Sequence, residues 1–112
     1  MVKLIIKHLE ALSVANGEVK TLKFTADENY IVKYIFIRRG DGSAFTKSTC
    51  TIWIKDKPLT RDKAPCAIFG SDVLNALELN IPLKKDWVFE YSGTNKEGTT
   101  ISIMIDLVLI PQ

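Results

Sequence analysis

The sequence predicts an all-β domain in which two antiparallel sheets pack face to face, or in which one sheet closes into a barrel. One observation is the last segment, Thr99 to Ile110, where aliphatic and polar side chains alternate with the period of two of a half-buried strand. A second is that about seven or eight such segments are separated by turn signals at fairly even intervals. A third is that helix is predicted only as one short turn near residues 72–77, capped by Ser71 or Asp72. We therefore expect one antiparallel β-sandwich domain over residues 1–112.

The first residues of the chain allow two interpretations. The helical spacing of the aliphatic side chains is compatible with a helix over residues 2–10. The Asn16-Gly17 pair is typical of a type I′ hairpin turn and instead favours a strand that runs through Val14. In that arrangement the return strand over residues 18–25 pairs directly with the first strand. We favour the two strands, and the helix stays open as an alternative.

The segment from Tyr30 to Arg39 predicts a strand that is apolar on both faces. Strict alternation divides its side chains into two sets, which are Tyr30, Val32, Tyr34 and Phe36 on one face and Ile31, Lys33, Ile35 and Ile37 on the other. A small sandwich covers such a strand fully on one side only, so the other face is expected to contact a partner chain.

The remaining strands are predicted in the second half of the chain. From Ser48 to Asp56 the alternation turns Trp53 outward, as a large aromatic side chain on an otherwise polar face. A charged, proline-bracketed loop over residues 57–65 follows, and extended segments over 79–83 and 87–92 come later. The predicted core consists of side chains on the inward faces of these strands: Ile52, Ile54, Phe89, Ile101, Ile103, Ile105 and Leu107.

The sequence contains no recognisable catalytic or metal-binding motif. His8 is the only histidine. The sequence therefore indicates neither a nucleophile–base pair nor a set of zinc ligands. Cys50 and Cys66 fit two small buried apolar side chains, and a disulfide between them stays open. The carboxylates Glu90 and Asp106 lie in the middle of strands, on polar faces that we expect to be solvated. We predict that the protein is not an enzyme and has no catalytic residue, cofactor or metal site.

Composition and charge argue against two further classes of partner. The chain has 112 residues, of which 46% are hydrophobic and 25% charged, as in ordinary globular domains. Its net charge of +2 is too weak to indicate nucleic-acid binding. Charged residues interrupt the N-terminal apolar run, and no segment reaches the roughly 18 uncharged apolar residues of a membrane-spanning helix. We expect neither a signal peptide, nor a nucleic-acid partner, nor a membrane span.

Two parts of the chain carry a resemblance to a known family. The first runs from Val19 to Ala26 and leads into Tyr30 to Ile37. The second comprises Ile81-Pro82-Leu83, then Trp87 to Asn95, then the long closing strand. In this order the chain resembles the small single jelly-roll structural proteins of virus particles, which serve as capsid, spike or tail components. The resemblance implies a jelly-roll sandwich without an active site.

The sequence favours a structural, self-associating protein. The predicted partners are copies of the chain and other virion proteins, so the virion is the predicted location and the cytoplasm the alternative. The alternative function is a carbohydrate-binding β-sandwich module, in which Trp53 stacks on a sugar beside Thr49 and Thr51. Candidate interface residues are aromatic side chains and two arginines: Trp53, Tyr30, Tyr34, Phe36, Arg38 and Arg39. The choice between shell, spike and decorating protein stays open, as do the oligomer symmetry and the host.

Overall fold

The computed structural model describes residues 4–43, 45–55, 57–58, 64–65 and 78–112. Every regular element in these ranges is a β-strand. In chain order the strands are β1 (Ile5–Val14), β2 (Val19–Thr25), β3 (Tyr30–Arg39), β4 (Thr49–Ile54), β5 (Lys57–Pro58), β6 (Ala64–Pro65), β7 (Ile81–Leu83), β8 (Val88–Thr94) and β9 (Ile101–Pro111). The helical turn predicted near residues 72–77 lies outside the described residues, as does Cys66.

The strands form two antiparallel sheets that share one hydrophobic core. Sheet A has the strand order β1-β9-β3-β7, and sheet B has the order β2-β8-β4-β5, with β6 also pairing with β4. Every side chain predicted for the core is buried in the cluster to which both sheets contribute: Ile52, Ile54, Phe89, Ile101, Ile103, Ile105 and Leu107. The predicted all-β, sandwich-like architecture is therefore confirmed.

The last strand occupies the centre of sheet A. β9 pairs with β1 on one side and with β3 on the other. Its odd-numbered residues from Ile101 to Leu109 are buried in the core, as the period of two predicts. A strand with neighbours on both sides satisfies its backbone hydrogen bonds within the sheet, so β9 holds the two long strands of sheet A in register.

The first two strands do not pair with each other, so the predicted hairpin is wrong, although the strand is confirmed over the helix. β1 pairs with β9 in sheet A, and β2 pairs with β8 in sheet B. A bulge at the end of β1, with Ser13 at a φ of 54°, bends the chain away. The Gly17 N–H then donates to the Asn95 carbonyl oxygen, 2.6 Å away, and the Asn95 N–H donates to Glu18. The tight turn itself forms, since the Glu18 N–H donates to the Ala15 carbonyl oxygen at 2.9 Å, but the two strands that it joins enter different sheets.

A second bulge, in β3, makes the faces of this strand differ from those that strict alternation predicts. The pairing of β3 with β9 shifts by one residue between Val32 and Tyr34. An inserted residue reverses the alternation, so the side chains before the bulge point to the opposite side from the one that strict alternation predicts. Tyr30 and Val32 therefore lie in the core together with Ile35, while Tyr34 lies on the outer side.

Gly93 lies under the ring of Tyr91 on the inward side of β8. A Cβ atom at position 93 would overlap the phenol oxygen and ring carbons of Tyr91. Tyr91 is 1% exposed, so its ring has no solvent to move into. We expect Gly93→Ala to lower the free energy of unfolding by about 1–3 kcal/mol, measured by urea denaturation.

The matched control for Gly93→Ala is the same substitution in a Tyr91→Leu background. Tyr91→Leu removes the atoms that the new methyl group would overlap, so Gly93→Ala should then be much less destabilising. The two substitutions should be non-additive in a double-mutant cycle. Additive losses would show that the contact between Tyr91 and Gly93 does not restrict the site.

Candidate interaction surfaces

The outward surface of sheet A, here called face A, is a grid of cross-strand rows contributed by β1, β9 and β3. The rows are Ile6–Val108–Tyr34, His8–Asp106–Phe36 and Glu10–Met104–Arg38, and Leu12 extends the β1 column. Side chains that lie opposite one another across paired strands are in contact range. Face A therefore combines apolar side chains with a compact group of charges.

Large aliphatic side chains are exposed along the β1 column of face A. Ile6 is 67% exposed and Leu12 is 65% exposed. β1 is the outermost strand of sheet A, and its sheet pairing within the described part of the chain is with β9 alone. This edge thus presents exposed apolar side chains together with backbone N–H and C=O groups that no strand of the described ranges pairs with. Both features promote association between β-proteins.

Asp106 lies at the centre of face A and is not solvated, so the prediction of a solvated carboxylate is wrong. Its side chain is only 12% exposed. One carboxylate oxygen lies 2.6 Å from His8 Nδ1, and the other lies 2.9 Å from a guanidinium nitrogen of Arg38. The two partners come from the strands on either side, β1 and β3. A buried carboxylate requires such partners, because removing an unpaired charge from water is costly.

The carboxylates around His8 raise the pKa of its imidazole above the ordinary value of 6.5. The hydrogen bond that the imidazole donates to the Asp106 carboxylate is the largest cause; desolvation opposes it, and Glu10, 3.5 Å from Nε2, adds to it. Since the folded-state pKa is raised, the protonated imidazole stabilises the fold fully below pH 6.5. That contribution is lost as the pH rises through the folded-state pKa.

The pKa of His8 provides a direct test of this arrangement. An NMR titration of the imidazole should give a pKa above 6.5 in the native chain. Asp106→Asn should lower that pKa by more than Glu10→Gln does, because the Asp106 hydrogen bond is the larger cause. A His8 pKa that is the same in all three proteins would contradict the contact.

A second buried carboxylate, Glu97, joins loops at one end of the sandwich. Its side chain is 0% exposed. The carboxylate oxygens accept hydrogen bonds from the backbone N–H groups of Thr46, Lys47 and Ser48, at 2.8 to 2.9 Å, and from the hydroxyls of Thr46 and Ser48. Glu97 therefore fixes the segment that leads into β4 against the loop between β8 and β9.

These donors lower the pKa of Glu97 from the ordinary value of 4.5 to about 2. Burial acts in the opposite direction and would raise the pKa. The backbone N–H groups of Lys47 and Thr46 and the hydroxyls of Ser48 and Thr46 outweigh it, because they bond to the ionised form. The ionised Glu97 side chain thus connects two loops through hydrogen bonds. In the sequence, Glu97 is only one polar residue of a glycine-bounded turn.

The outward surface of sheet B, here called face B, is rich in hydroxyl groups. Its rows are Lys23–Glu90–Trp53, Thr21–Ser92–Thr51 and Val19–Thr94–Thr49. Lys23 Nζ lies 3.3 Å from a Glu90 carboxylate oxygen. The half-buried Trp53 borders a shallow depression of about 270 Å³, which Lys23, Val88 and Glu90 also line. Trp53 is the large aromatic side chain of a mostly polar surface and points outward, as its sequence position predicts.

The structure separates the candidate interface residues into four places. Tyr34, Phe36 and Arg38 lie together on face A, where the rings of Tyr34 and Phe36 stack with centroids 5.9 Å apart. Trp53 lies on face B, on the opposite side of the sandwich.

Of the other two candidates, Tyr30 lies inside the fold and Arg39 lies partly exposed at one end of a strand. Tyr30 is buried in the core, and its hydroxyl donates to an Asp27 carboxylate oxygen at 2.6 Å. Arg39 lies at the end of β3, where a guanidinium nitrogen is 4.0 Å from Glu97. Sequence reasoning missed the exposed residues of β1, Ile6 and Leu12. The available signal was the spacing of two residues that places Ile6 and Leu12 on the same strand face as His8 and Glu10. The helical spacing of aliphatic side chains in the same segment obscured this signal.

The chain matches no protein-family model, no curated protein and no solved structure. Among the described residues, no group of three or more His, Cys, Asp and Glu side chains is placed to hold a metal ion. The described ranges contain no helix with the length and apolar character that crossing a membrane requires.

Proposed function

We propose that this chain is a structural protein that associates with copies of itself through the β1 side of face A and forms part of a virus particle. The observation that carries the proposal is the exposure of Ile6 and Leu12 along the outermost strand of sheet A. Burying one such side chain contributes roughly 1.5–3 kcal/mol, so covering this strand is strongly favourable. A second copy suits the site, because β1 carries both Glu10 and His8, and a protonated imidazole is complementary in charge to a carboxylate.

The strand order supports a jelly roll, and with it the assignment to a virus particle. The strands from β1 to β4 alternate between the two sheets, as do those from β7 to β9, and each sheet places an early strand beside a late one, β1 beside β9 and β2 beside β8. This is the pattern of nested Greek keys, and jelly rolls contain two of them. Viral capsid proteins are a major class with this architecture. The particle assignment rests on this fold-level analogy, whereas self-association rests on face A itself.

The proposed role is non-enzymatic, and the surroundings of His8 support this. A histidine base needs one ring nitrogen directed at a nucleophile and the other held by an orienting group. In this protein Asp106 holds Nδ1, but Nε2 is directed at the Glu10 carboxylate. A histidine between two carboxylates stabilises charge on the surface and does not activate a hydroxyl group.

The particle assignment is tested on virus particles purified from the native source by density-gradient centrifugation. The chain should sediment with the particles, remain bound through a high-salt wash, and be present in a fixed ratio to the major coat protein by quantitative mass spectrometry. Recovery of the chain only from soluble fractions would contradict the particle assignment. That result would not bear on self-association, which the molar mass of the purified protein tests separately.

Carbohydrate binding on face B is a second candidate function, favoured by the position of Trp53. An indole ring beside serine and threonine hydroxyls and an ion pair supplies both a stacking surface and hydrogen-bonding groups for a sugar. We expect glycan titration to change the tryptophan fluorescence of the native chain and of Trp87→Phe, but not of Trp53→Phe. An unchanged signal across a broad glycan panel would eliminate this candidate.

A further inference from the structure

We infer that self-association takes place edge to edge: β1 of one copy pairs antiparallel with β1 of a second copy, about a two-fold axis at Leu9. The two four-stranded sheets then become one continuous sheet. The inference rests on the proposed self-association and specifies its partner strand and register.

β1 is the longer of the two edges of sheet A. It has ten residues, whereas the strand at the other edge, β7, has three and contains Pro82, which cannot donate a hydrogen bond. Residues 5–11 of β1 pair with β9 in regular register, and the bulge begins at Leu12, which is the last position that a second strand paired from Ile6 has to reach. The segment therefore keeps the straight geometry that a second strand needs in order to add to the sheet.

The symmetry of such a pair limits the registers that are available. An antiparallel pair of identical strands has its two-fold axis perpendicular to the sheet, so face A of both copies lies on the same side. Residues directly opposite one another must then point to the same face. An outward residue of one copy is therefore paired with an outward residue of the other.

Among these registers, the one centred on Leu9 matches side chains of complementary chemistry. It places Ile6 opposite Leu12 of the second copy, so the two most exposed side chains of face A cover each other. It also places His8 opposite Glu10 of the second copy, and the reciprocal contacts repeat both pairs across the axis.

The adjacent registers are less favourable. A pair centred on His8 would set the two imidazoles opposite each other and Ile6 opposite Glu10. A pair centred on Glu10 would set two carboxylates opposite each other and His8 opposite Leu12. Like charges directly opposite are destabilising, as is an aliphatic side chain facing a charge.

The inward side of β1 is compatible with the same register. The two Leu9 side chains face each other at the axis, and Lys7 faces the small Ala11 of the second copy. The Lys7 ammonium lies 5.5 Å from the centre of the Phe24 ring, so the side chain is already directed toward sheet B. This leaves space at the joint for the second strand.

Disulfide trapping tests the register in the full-length chain. Ile6→Cys and Leu12→Cys are made separately in a Cys66→Ser background, with Cys50 retained because it is 1% exposed. In the proposed pair, positions 6 and 12 are directly opposite, at Cα separations of about 4.5–5.5 Å that a disulfide can bridge. Two copies of position 6 are offset by six residues, or roughly 20 Å. Mild oxidation should therefore link the mixed variants and leave either variant alone mostly unlinked.

The control is a mixture of Leu12→Cys with Val19→Cys, since Val19 is similarly exposed but lies on face B. We expect at least tenfold less cross-linked dimer from this mixture than from the pair at positions 6 and 12. Equal cross-linking in the two mixtures, in a protein that light scattering shows to be oligomeric, would overturn the β1 register while leaving self-association intact. A chain that stays monomeric at about 1 mM would overturn both.

Discussion

Ile103→Asp is expected to abolish folding. Ile103 is 1% exposed and lies in the middle of β9, which pairs with strands on both sides. The substitution removes roughly 1.5–3 kcal/mol of apolar burial and adds an unpaired buried carboxylate, which costs several kcal/mol more. Together these effects are on the order of the total stability of a small domain. Circular dichroism should show no strand signal and no cooperative thermal transition.

The matched control is Thr51→Asp, which introduces the same charge on an outward, half-buried position of β4. This variant should fold and melt cooperatively, because its carboxylate remains in contact with water. A soluble, cooperatively melting Ile103→Asp protein would show that the inward face of β9 is wrongly assigned.

Glu97→Ala is expected to give the largest loss of stability from a polar substitution, about 3–5 kcal/mol at neutral pH. It leaves the backbone N–H groups of Thr46, Lys47 and Ser48 without their acceptor, and a buried unsatisfied group costs about 1–3 kcal/mol. Partial hydration of the opened loop limits the sum. Chemical denaturation at pH 7 measures the loss, and Glu97→Gln, which keeps one acceptor oxygen, should lose less.

The same carboxylate should make the native chain sensitive to acid. Because the folded-state pKa of Glu97 is about 2 and its ordinary value is 4.5, its contribution is fully present above pH 4.5. That contribution is lost as the pH falls toward 2, and it amounts to about 3 kcal/mol. The free energy of unfolding of Glu97→Ala should fall less steeply in this window than that of the native chain. If the free energy of unfolding depended on pH in the same way in both proteins, the stabilising role of the Glu97 carboxylate would be contradicted.

The elements of this fold were predictable wherever one physical signal dominated. β4 shows a period of two throughout and β9 shows it from Ile101 to Ile105, and the structure buries the side chains that this period selects. The ends of β3 at Tyr30 and Arg39 coincide with turn residues on either side. Alternation is a local property of the chain, so it can be read without knowing which strands are neighbours.

Strand pairing and side-chain faces were less predictable, because they depend on distant contacts. Asn16-Gly17 fits a hairpin, yet the loop around Asn95 supplies hydrogen bonds that separate β1 from β2. The bulge after Val32 inserts one residue and reverses the faces of β3 without leaving a sequence signal. A single-residue insertion of this kind is decided by how two whole strands match in length.

The contacts of the buried carboxylates Asp106 and Glu97 were not predictable from the sequence, because they too depend on distant parts of the chain. Asp106 has the sequence surroundings of a solvated polar residue, and its partners His8 and Arg38 come from remote strands. The donors that surround Glu97 lie about fifty positions earlier in the chain. Only the assembled sheets bring these groups together, so the chemistry of faces A and B emerges from topology.

The most direct test of self-association through face A is the molar mass of the purified chain by light scattering coupled to size-exclusion chromatography. The native protein should elute at a whole-number multiple of 12.6 kDa, at least a dimer, at about 0.1–1 mM. Leu12→Asp should shift that mass toward the monomer, because it places a charge on the exposed apolar strand. Val19→Asp, which places the same charge at a similarly exposed position on face B, should leave the mass unchanged. A native chain that remains at 12.6 kDa throughout, or the same response from both variants, would contradict the account.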